Sequence, residues 1–240
     1  MLKKLIPEFI KAPLRSRLHE RRLFRSEAGQ DLWVFGEVFN EQRNGLFLDI
    51  GAHDGVAISN TYILENRYDW RGICIEANPD TFEVLRKNRR CQCVNACLDQ
   101  AEGTAAFAKR GVYGGIISSE TDNKPDSPEG DVIVVVPTTT LSNLLGKLSA
   151  PKKIDYLSID IEGAEERVLK GFPFSDYQIS CITVERPSQA LRTIFEANGF
   201  TLIKEIPGLD CFYLHKDMLG TYFANLPAFY NKSFVVLVGD

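Results

Sequence analysis

Short apolar runs alternate with amphipathic stretches from residue 46 onward, and this alternation predicts the secondary structure. Runs typical of buried strands lie at 46–50, 72–76, 93–96, 155–160 and 179–185. Helical stretches separate them, at about 58–66, after residue 78, at 164–170 and at 188–198. Strands that alternate with helices in this way predict a parallel sheet with helices on both of its faces.

Several predicted helices carry signals at their ends. Asn78 is a favourable N-cap, and Pro79 suits the first turn because its missing N–H loses no hydrogen bond there. Gly199 follows the stretch 188–198, at a position where helices often end. A further amphipathic helix is predicted from leucines spaced at i, i+3, i+4 and i+7, namely Leu141, Leu144, Leu145 and Leu148.

Two segments depart from the alternation. Segment 103–137 has two strand-like runs around a glycine-rich and polar stretch, which predicts a strand–loop–strand insertion beside the main sheet. Runs at 200–206 and 210–215 flank Pro207-Gly208 and predict a closing hairpin. The chain therefore predicts a mostly parallel α/β sheet with an antiparallel edge.

The composition is that of a globular protein. The chain has 240 residues, of which 44% are hydrophobic and 25% charged, enough for one sizeable domain. The six cysteines lie mostly in apolar runs, where they behave as small buried hydrophobes. Cys91, Cys93 and Cys97 lack the second knuckle of a zinc site, so we predict no metal there.

Charge is unevenly distributed along the chain. Residues 1–26 hold eight basic and two acidic side chains, although the whole chain carries −4. The global charge disfavours a nucleic-acid partner. Residues 1–26 are interpreted as a basic helix or arm with three open roles: a solvated helix docked on the domain, a contact for an anionic substrate or a membrane surface, or a dimer arm.

The sequence shows no export or membrane signal. No apolar run is long enough to span a bilayer, and no apolar stretch of a signal peptide follows the basic residues. The cysteines are interpreted as reduced thiols, which agrees with the lack of an export signal. We therefore expect a cytoplasmic protein.

The ends of the predicted strands carry the candidate chemistry, because ligands of such sheets bind beyond the carboxyl ends of the strands. The first strand runs into Asp49-Ile50-Gly51-Ala52-His53-Asp54-Gly55, whose glycines permit a tight turn and close approach to a ligand. The second strand ends at Glu76, an acid suited to ribose hydroxyls. A dinucleotide fingerprint fails, because His53 and Val56 stand where it requires glycine.

Two carboxylates, Asp49 and Asp54, bracket the glycine turn. They would repel a pyrophosphate, but they suit a ligand that bears a positive charge. S-adenosylmethionine combines ribose hydroxyls with a cationic amino-acid tail and has no phosphate, and it is the predicted cofactor. The alternative is a plain strand-to-helix turn capped by Asp54.

The chain resembles the FkbM family of S-adenosylmethionine-dependent methyltransferases over roughly residues 26–215. The most specific motifs are Asp-x-Glu-Gly-Ala-Glu at 160–165 and Arg-Gly-x-x-Ile-Glu-x-Asn-Pro at 71–79. The other matching stretches are 29–31, 47–55, 59–62 and the run that leads into residue 160. One departure is Ser142, where the family often has aspartate after Thr-Leu.

The resemblance implies the class I methyltransferase fold. This is a Rossmann-like, seven-stranded, mostly parallel sheet with a C-terminal antiparallel hairpin and helices on both faces. The methyltransferase domain is expected to span residues 27–218. Residues 219–240 are expected to form a C-terminal extension packed on or near it.

The resemblance also implies cofactor contacts. Asp49, Gly51 and Glu76 are the central ones, and the residues after the third strand would line the adenine. The expected cofactor-binding set is Gln30, Asp49, Gly51, Ala52, Asp54, Gly55, Asn60, Thr61, Glu76, Ala77, Asn95, Cys97, Leu98 and Asp160. For Gln30 the alternative is helix capping.

Methyl transfer to a hydroxyl needs alignment and a general base. The candidates, in order of preference, are Asp160, Glu162, Glu185 and His53. For the first two the alternative is capping of the helix that follows. Three carboxylates near one pocket could instead hold a magnesium ion, a less favoured alternative. Gly114-Gly115 is interpreted either as a flap over the acceptor or as a surface turn.

The family resemblance implies an O-methyltransferase that acts on a sugar, glycan or small-metabolite hydroxyl. Two alternatives remain open. One is a non-catalytic cofactor-binding scaffold, and the other is a methyltransferase with a nucleic-acid or protein acceptor. Against a nucleic-acid acceptor, the chain has Asp160-Ile161-Glu162-Gly163 where amino-methylating DNA enzymes carry Asn/Asp-Pro-Pro-Tyr.

Overall fold

A computed structural model describes residues 24–125 and 132–234. In chain order its strands are β1 Leu46–Ile50, β2 Arg71–Glu76, β3 Gln92–Asn95, β4 Cys97–Leu98, β5 Gly103–Lys109, β6 Gly115–Ile116, β7 Val132–Thr139, β8 Lys153–Ile159, β9 Gln178–Glu185, β10 Phe200–Glu205 and β11 Asp210–His215. Short 3₁₀ turns lie at Gly111–Tyr113, Phe174–Asp176 and Lys216–Met218.

Seven strands form the main sheet in the order β10-β11-β9-β8-β1-β2-β3. The strands β3, β2, β1, β8 and β9 run parallel, and β11 is antiparallel to both β9 and β10. This confirms the predicted Rossmann-like α/β sheet with its closing hairpin. All five parallel strands end at one edge, so their terminal side chains share one region of the molecule.

The helices are α1 Gln30–Leu32, α2 Tyr62–Tyr68, α3 Pro79–Asn88, α4 Leu141–Lys147, α5 Glu165–Leu169, α6 Gln189–Ala197 and α7 Leu219–Phe234; a π-helical segment, Trp33–Val38, continues α1. Side-chain oxygens cap three of them. Asn78, Thr140 and Ser188 accept main-chain N–H groups at 3.0, 3.2 and 3.1 Å. The predicted Asn78 cap is therefore present.

One predicted helix begins later than expected. The pattern placed its start at residue 58, but α2 begins at Tyr62. Ile58 adopts φ 47°, which is outside the helical region. The Ser59 hydroxyl then accepts the N–H groups of Thr61 and Tyr62 at 3.3 and 3.1 Å. This local turn competes with helix and holds residues 58–61 as a loop.

The inserted segment forms a second, small sheet in the order β4-β7-β5-β6. Strands β5 and β7, the two predicted strands of the insertion, pair antiparallel from Gly103 with Thr138 to Lys109 with Val132. Cys97, Phe107, Ile116 and Val136 are the buried core of this sheet, and Ala77 packs against it. The small sheet thus stands beside the carboxyl end of β2.

The two faces of the main sheet are covered by separate apolar clusters. Along β1, Leu48 and Ile50 belong to one cluster, and Phe47 belongs to the other. Trp33 and Trp70 are buried in the second cluster. Because side chains alternate along a strand, Asp49 points to the same face as Phe47.

The C-terminal helix α7 begins directly after the hairpin. Its Tyr222 hydroxyl donates to the Glu37 carboxylate at 3.0 Å, and the Asn225 amide donates to the Val38 carbonyl at 3.1 Å. These contacts hold the first half of α7 against the π-helical segment. No helix within 24–125 and 132–234 is long and apolar enough to cross a bilayer. Most of the predicted basic arm, residues 1–23, lies outside the described residues.

Candidate active site

A cleft opens at the carboxyl ends of β1, β2 and β8. Strand-end residues and the turns after them form its floor, and the turn Gly111–Tyr113 with strand β6 forms its roof. Of the predicted site residues, the lining includes Asp49, Gly51, Ala52, His53, Asn60, Glu76, Ala77, Cys97, Leu98, Asp160 and Glu162. The structure therefore brings together most of the set predicted from separate parts of the chain.

Gly51 fixes how closely β1 approaches β8. It adopts φ 86°, and a Cβ at this position would lie 1.8 Å from the Asp160 carbonyl oxygen. A side chain would therefore force the two strand ends apart. Glycine at this turn leaves the backbone exposed to the cleft.

Glu76 is held at the cleft by main-chain donors. Its Oε1 accepts the N–H of Asn78 at 2.7 Å, and its Oε2 accepts the N–H of His53 at 2.9 Å. Burial raises the pKa of Glu76, and the two amides oppose that rise. The carboxylate is thus fixed in orientation, with lone pairs left for ribose hydroxyls.

A second part of the cleft is lined by Asp49, Asn60 and Ser158. The Asn60 amide donates to the Ser158 hydroxyl at 3.0 Å, and the buried Asn60 Oδ1 has no partner among the described residues. An unpaired buried acceptor beside a carboxylate suits a ligand with an ammonium group. The residues therefore fit the amino-acid tail of S-adenosylmethionine.

The opposite end of the cleft is apolar. Cys97 and Leu98 line it together with Phe107 and Ile116 of the small sheet. Burial raises the pKa of the Cys97 thiol to about 12, so this sulfur stays protonated and behaves as an apolar group. This slot suits a flat, uncharged base such as adenine.

At one side of the cleft, six acidic side chains form a carboxylate cluster near the ends of β8 and β9 and the start of β11. Its members are Asp122, Asp160, Glu162, Glu165, Glu185 and Asp210. Arg186 contacts three of them, at 2.6 Å to Asp122, 2.7 Å to Glu185 and 3.5 Å to Glu162. Positive charge in the cluster is therefore scarce relative to negative charge.

Burial and mutual repulsion perturb the carboxylate cluster. The pKa of Asp160 is raised well above its usual range by burial first and by Glu185 second. The pKa values of Glu162 and Glu165 are raised to about 7, mainly by burial. Burial and the neighbouring Glu185 also raise the pKa of Asp210 to about 6. Several of these groups can therefore exchange a proton near neutral pH.

Two residues in the predicted set support the cleft instead of lining it. The Thr61 hydroxyl is fully buried and donates to Asp49 Oδ2 at 2.5 Å. The Asn95 amide donates to the carbonyls of Glu76 and Ala77 at 2.8 and 3.2 Å. Both side chains hold the predicted ligand contacts in place.

Three further members of the predicted set lie outside the cleft lining. The Asp54 carboxylate accepts two main-chain amides of its own turn, each at 2.8 Å, which is the capping alternative. Gly55 adopts φ 76° and packs against the Arg89 side chain. Gln30 is buried and donates to Asp210 at 2.7 Å. Gln30 therefore contacts the carboxylate cluster and is positioned to orient it.

The four candidate bases occupy different positions. Asp160 and Glu162 line the cleft, whereas Glu185 lies beside it, with carboxyl oxygens of Asp160 and Glu185 within 4.8 Å of each other. His53 lines the cleft in the glycine turn, with φ 49° and its Nδ1 3.7 Å from the Asp54 carboxylate. The three carboxylates share one region, and His53 lies on the cofactor side.

Sequence reasoning missed Glu165, Asp210 and Arg186. Glu165 lies in the recognised motif, where its carboxylate accepts the N–H groups of Ile161 and Gly163 at 2.8 and 3.3 Å. Asp210 comes into the cluster through its register with Glu185 on the antiparallel strand. Periodicity indicates such strands but does not state which residues stand opposite each other.

The magnesium alternative depends on the same carboxylates. Two groups of three have oxygens within 4.8 Å of one another, namely Asp122 with Glu162 and Glu185, and Asp160 with Glu165 and Glu185. Arg186 already contacts all three carboxylates of the first group, which leaves less room for a metal ion there. The cysteine motif is dispersed, because Cys97 lines the cleft while Cys91 contacts Cys74 at 3.5 Å. All six cysteines are free thiols.

The strand order, the glycine turn and the acidic end of β2 define a Rossmann-like methyltransferase. The sequence model of the methyltransferase FkbM domain matches residues 49–204. The chain therefore belongs to the FkbM methyltransferase family and is an S-adenosylmethionine-dependent methyltransferase. S-adenosylmethionine is the cofactor that this membership implies.

More distant likenesses come from solved structures. The METTL16 methyltransferase domain is 12% identical, with 90% of this chain and 71% of that chain covered and a TM-score of 0.45. A methyltransferase from Pyrococcus furiosus is 15% identical, with coverages of 78% and 82% and a TM-score of 0.39. A search of curated protein sequences gives no match. Likeness at this level says nothing about the acceptor.

Proposed function

We propose that this enzyme methylates a hydroxyl oxygen of a sugar, a glycan or a small metabolite. The observation that carries the proposal is the carboxylate cluster, which borders the cleft and is short of cations. Hydroxyl groups lose a proton when they are methylated, and buried carboxylates with pKa values near neutrality are suited to accept it.

The cleft residues supply the cofactor contacts in this proposal. Glu76 accepts hydrogen bonds from the ribose hydroxyls. Asp49 and the Asn60 Oδ1, which has no partner among the described residues, hold the ammonium group. Cys97 and Leu98 border the adenine. When bound, S-adenosylmethionine supplies an activated methyl group, whose bond to sulfur breaks as its bond to the acceptor oxygen forms. Fixing the two reactants in line provides much of the rate.

Asp160 is the proposed general base, assisted by Glu185. Asp160 lines both parts of the cleft, which places it between the proposed cofactor contacts and the carboxylate cluster. Glu185 lies next to Asp160 and raises its pKa, which increases its affinity for the proton. Asp160 accepts the hydroxyl proton. This removes one negative charge from the cluster and so reduces the repulsion among the neighbouring carboxylates.

The position of the cleft roof agrees with an acceptor that enters from the side of the carboxylate cluster. Gly115 packs against Glu162, with only 3.2 Å between a Cβ placed on Gly115 and the Cβ of Glu162. Val112, in the adjoining turn, contacts both parts of the cleft. Gly114-Gly115 thus belongs to a covering segment in this proposal, which excludes water from the reacting groups.

The acidic surroundings also disfavour polyanionic acceptors. An RNA or DNA backbone would meet the carboxylate cluster, in which Arg186 is shared among three carboxylates. A non-catalytic scaffold would leave the buried carboxylates without a use, although burying them destabilises the fold. A neutral, hydroxyl-bearing acceptor agrees best with the charge of the site.

The test is transfer of labelled methyl groups to fractionated cell glycans and metabolites, followed by mass spectrometry of the labelled product. We expect the label on an oxygen atom and its loss with Asp160→Asn. The matched control is Glu196→Gln, which changes an exposed carboxylate on α6. Label on nitrogen or carbon, or transfer that survives in Asp160→Asn, would contradict the proposal.

A further inference from the structure

A buried arginine lies behind the cofactor side of the cleft, on the face of the sheet that holds Phe47. Arg89 follows α3, and its side chain is 0% exposed. The guanidinium pairs with the Glu65 carboxylate and packs over the Phe47 ring, 5.3 Å from the centroid. It also donates to the Thr61 hydroxyl at 3.0 Å and to the Gly55 carbonyl at 3.3 Å.

The Thr61 hydroxyl connects this arginine to Asp49. A hydroxyl has one hydrogen, and its oxygen accepts through lone pairs. Because the oxygen of Thr61 accepts from Arg89, its hydrogen is directed to Asp49 Oδ2, 2.5 Å away. A hydroxyl that donates in this way stabilises the ionised carboxylate more than the protonated one.

Asp49 needs such support because of where it lies. Its side chain is buried on β1, and burial raises its pKa, whereas Arg89 and the Thr61 hydroxyl lower it. The titratable and charged groups around it, from β2, β8, the glycine turn and the end of α3, are Glu76, Tyr156, Asp160, His53 and Arg89. Of these, Arg89 carries a fixed positive charge.

We propose that Arg89, acting through the Thr61 hydroxyl, is a positioning residue that keeps Asp49 ionised to hold the cofactor's ammonium group. The proposal rests on the proposed role of Asp49 and adds the group that sustains it. Neither Arg89 nor Thr61 lines the cleft, and the Thr61 hydroxyl is the contact that links Arg89 to Asp49.

Thr61→Val tests the connection with little change of shape. Valine keeps the volume and loses the hydroxyl, while the ion pair between Arg89 and Glu65 remains intact. Thr61→Ser retains the hydroxyl and is the matched control. Each protein is titrated with S-adenosylhomocysteine by calorimetry from pH 6 to pH 9. Dividing the variant Kd by the wild-type Kd at each pH cancels the titration of the ligand's own amine.

We expect the Kd ratio for Thr61→Val to be about tenfold at pH 6 and to fall to about threefold at pH 9. The sign follows from the chemistry: without the hydroxyl, the pKa of Asp49 rises, so low pH protonates Asp49 and removes its attraction for the ammonium group. Thr61→Ser should return the ratio to within about twofold at every pH. A ratio that does not change with pH, or serine and valine variants that behave alike, would overturn the proposal.

A second variant tests Arg89 itself. Arg89→Met alone would leave Glu65 buried and unpaired, so it is combined with Glu65→Met. This double variant should show the same rise of the Kd ratio toward low pH. Asp49→Asn separates the two proposals. Unchanged affinity in Asp49→Asn refutes the role of Asp49, whereas weak binding there with a pH-independent Thr61→Val ratio refutes only the role of Arg89.

Discussion

The two ends of the active site use the same residue type in opposite ways. At the cofactor end, Asp49 and Glu76 are each bound by donors: a hydroxyl for the first, two main-chain amides for the second. At the proposed acceptor end, six carboxylates lie close together and Arg186 is shared among three of them, although two main-chain amides also bind Glu165. Donors favour fixed negative charge, whereas crowded carboxylates favour a mobile proton.

In the proposed function, this contrast would let one sheet edge serve two tasks. Carboxylates that must hold a cation need to stay ionised, and the cofactor end provides hydrogen-bond donors for that purpose. A carboxylate that must accept a proton near pH 7 needs a raised pKa, and the carboxylate cluster provides it by burial and repulsion. The surroundings, and not the residue type, therefore assign the role.

The largest expected effect is on turnover at the acceptor end. Asp160→Asn removes the proposed base while keeping its shape, and kcat should fall by about 10² to 10³. The Kd for S-adenosylhomocysteine should change less than about threefold, because Asn can keep polar contacts in the cleft. Single-turnover kinetics and calorimetry measure the two quantities. A fall in cofactor affinity equal to the fall in kcat would contradict separate roles for the cofactor end and the acceptor end.

The reverse pattern is expected at the cofactor end. Asp49→Asn and Glu76→Gln remove charge from the ammonium and ribose contacts, so each should weaken cofactor binding by about 10- to 100-fold. Turnover at saturating cofactor should fall far less, because the proposed base is untouched. The measurement is the Kd by calorimetry beside kcat at saturation. Wild-type affinity in both variants would refute the cofactor site.

The sequence predicts the cofactor end better than the acceptor end, for a physical reason. Gly51 directly follows β1 and Glu76 ends β2, so a local pattern places both at one edge of a parallel sheet. Asp210 reaches the cluster only through its antiparallel register opposite Glu185, which depends on the tertiary fold. The late start of α2 at Tyr62 likewise comes from the turn at Ile58. The hydrophobic periodicity of the sequence does not indicate the positive φ of that residue.

A smaller effect is expected on stability, and it depends on pH. Burial raises the pKa of Glu165 to about 7 in the folded protein, so the folded state holds its proton more tightly than the unfolded state does. The stabilisation from this group is complete below about pH 4.5 and is lost as pH rises through about 7. Glu165→Gln keeps an acceptor for the two amides and should raise the free energy of unfolding at pH 8 by about 1–2 kcal/mol.

Urea unfolding of wild type and Glu165→Gln at pH 5 and pH 8 measures this effect. The two proteins should differ at pH 8 and converge toward pH 5, where the wild-type carboxyl is already protonated. The matched control is again Glu196→Gln, which should leave the pH dependence as it is. Equal stability differences at both pH values would contradict a buried carboxyl that titrates near neutrality.

The smallest expected effect concerns residues 1–23, which precede Arg25 at the start of the described part of the chain. The Arg25 guanidinium lies 4.7 Å above the Tyr62 ring, and its main-chain N–H donates to Asp31 at 2.7 Å. Gln30, a few residues further on, contacts Asp210 of the carboxylate cluster.

If residues 1–23 attract an anionic part of the acceptor, deleting them should raise the acceptor KM about threefold at low salt and less at high salt. The Kd of the cofactor should stay unchanged, because the proposed cofactor contacts come from β1, β2, β4 and the turns that follow β1 and β2. A KM that is equally raised at all salt concentrations would point to docking of the segment instead of charge.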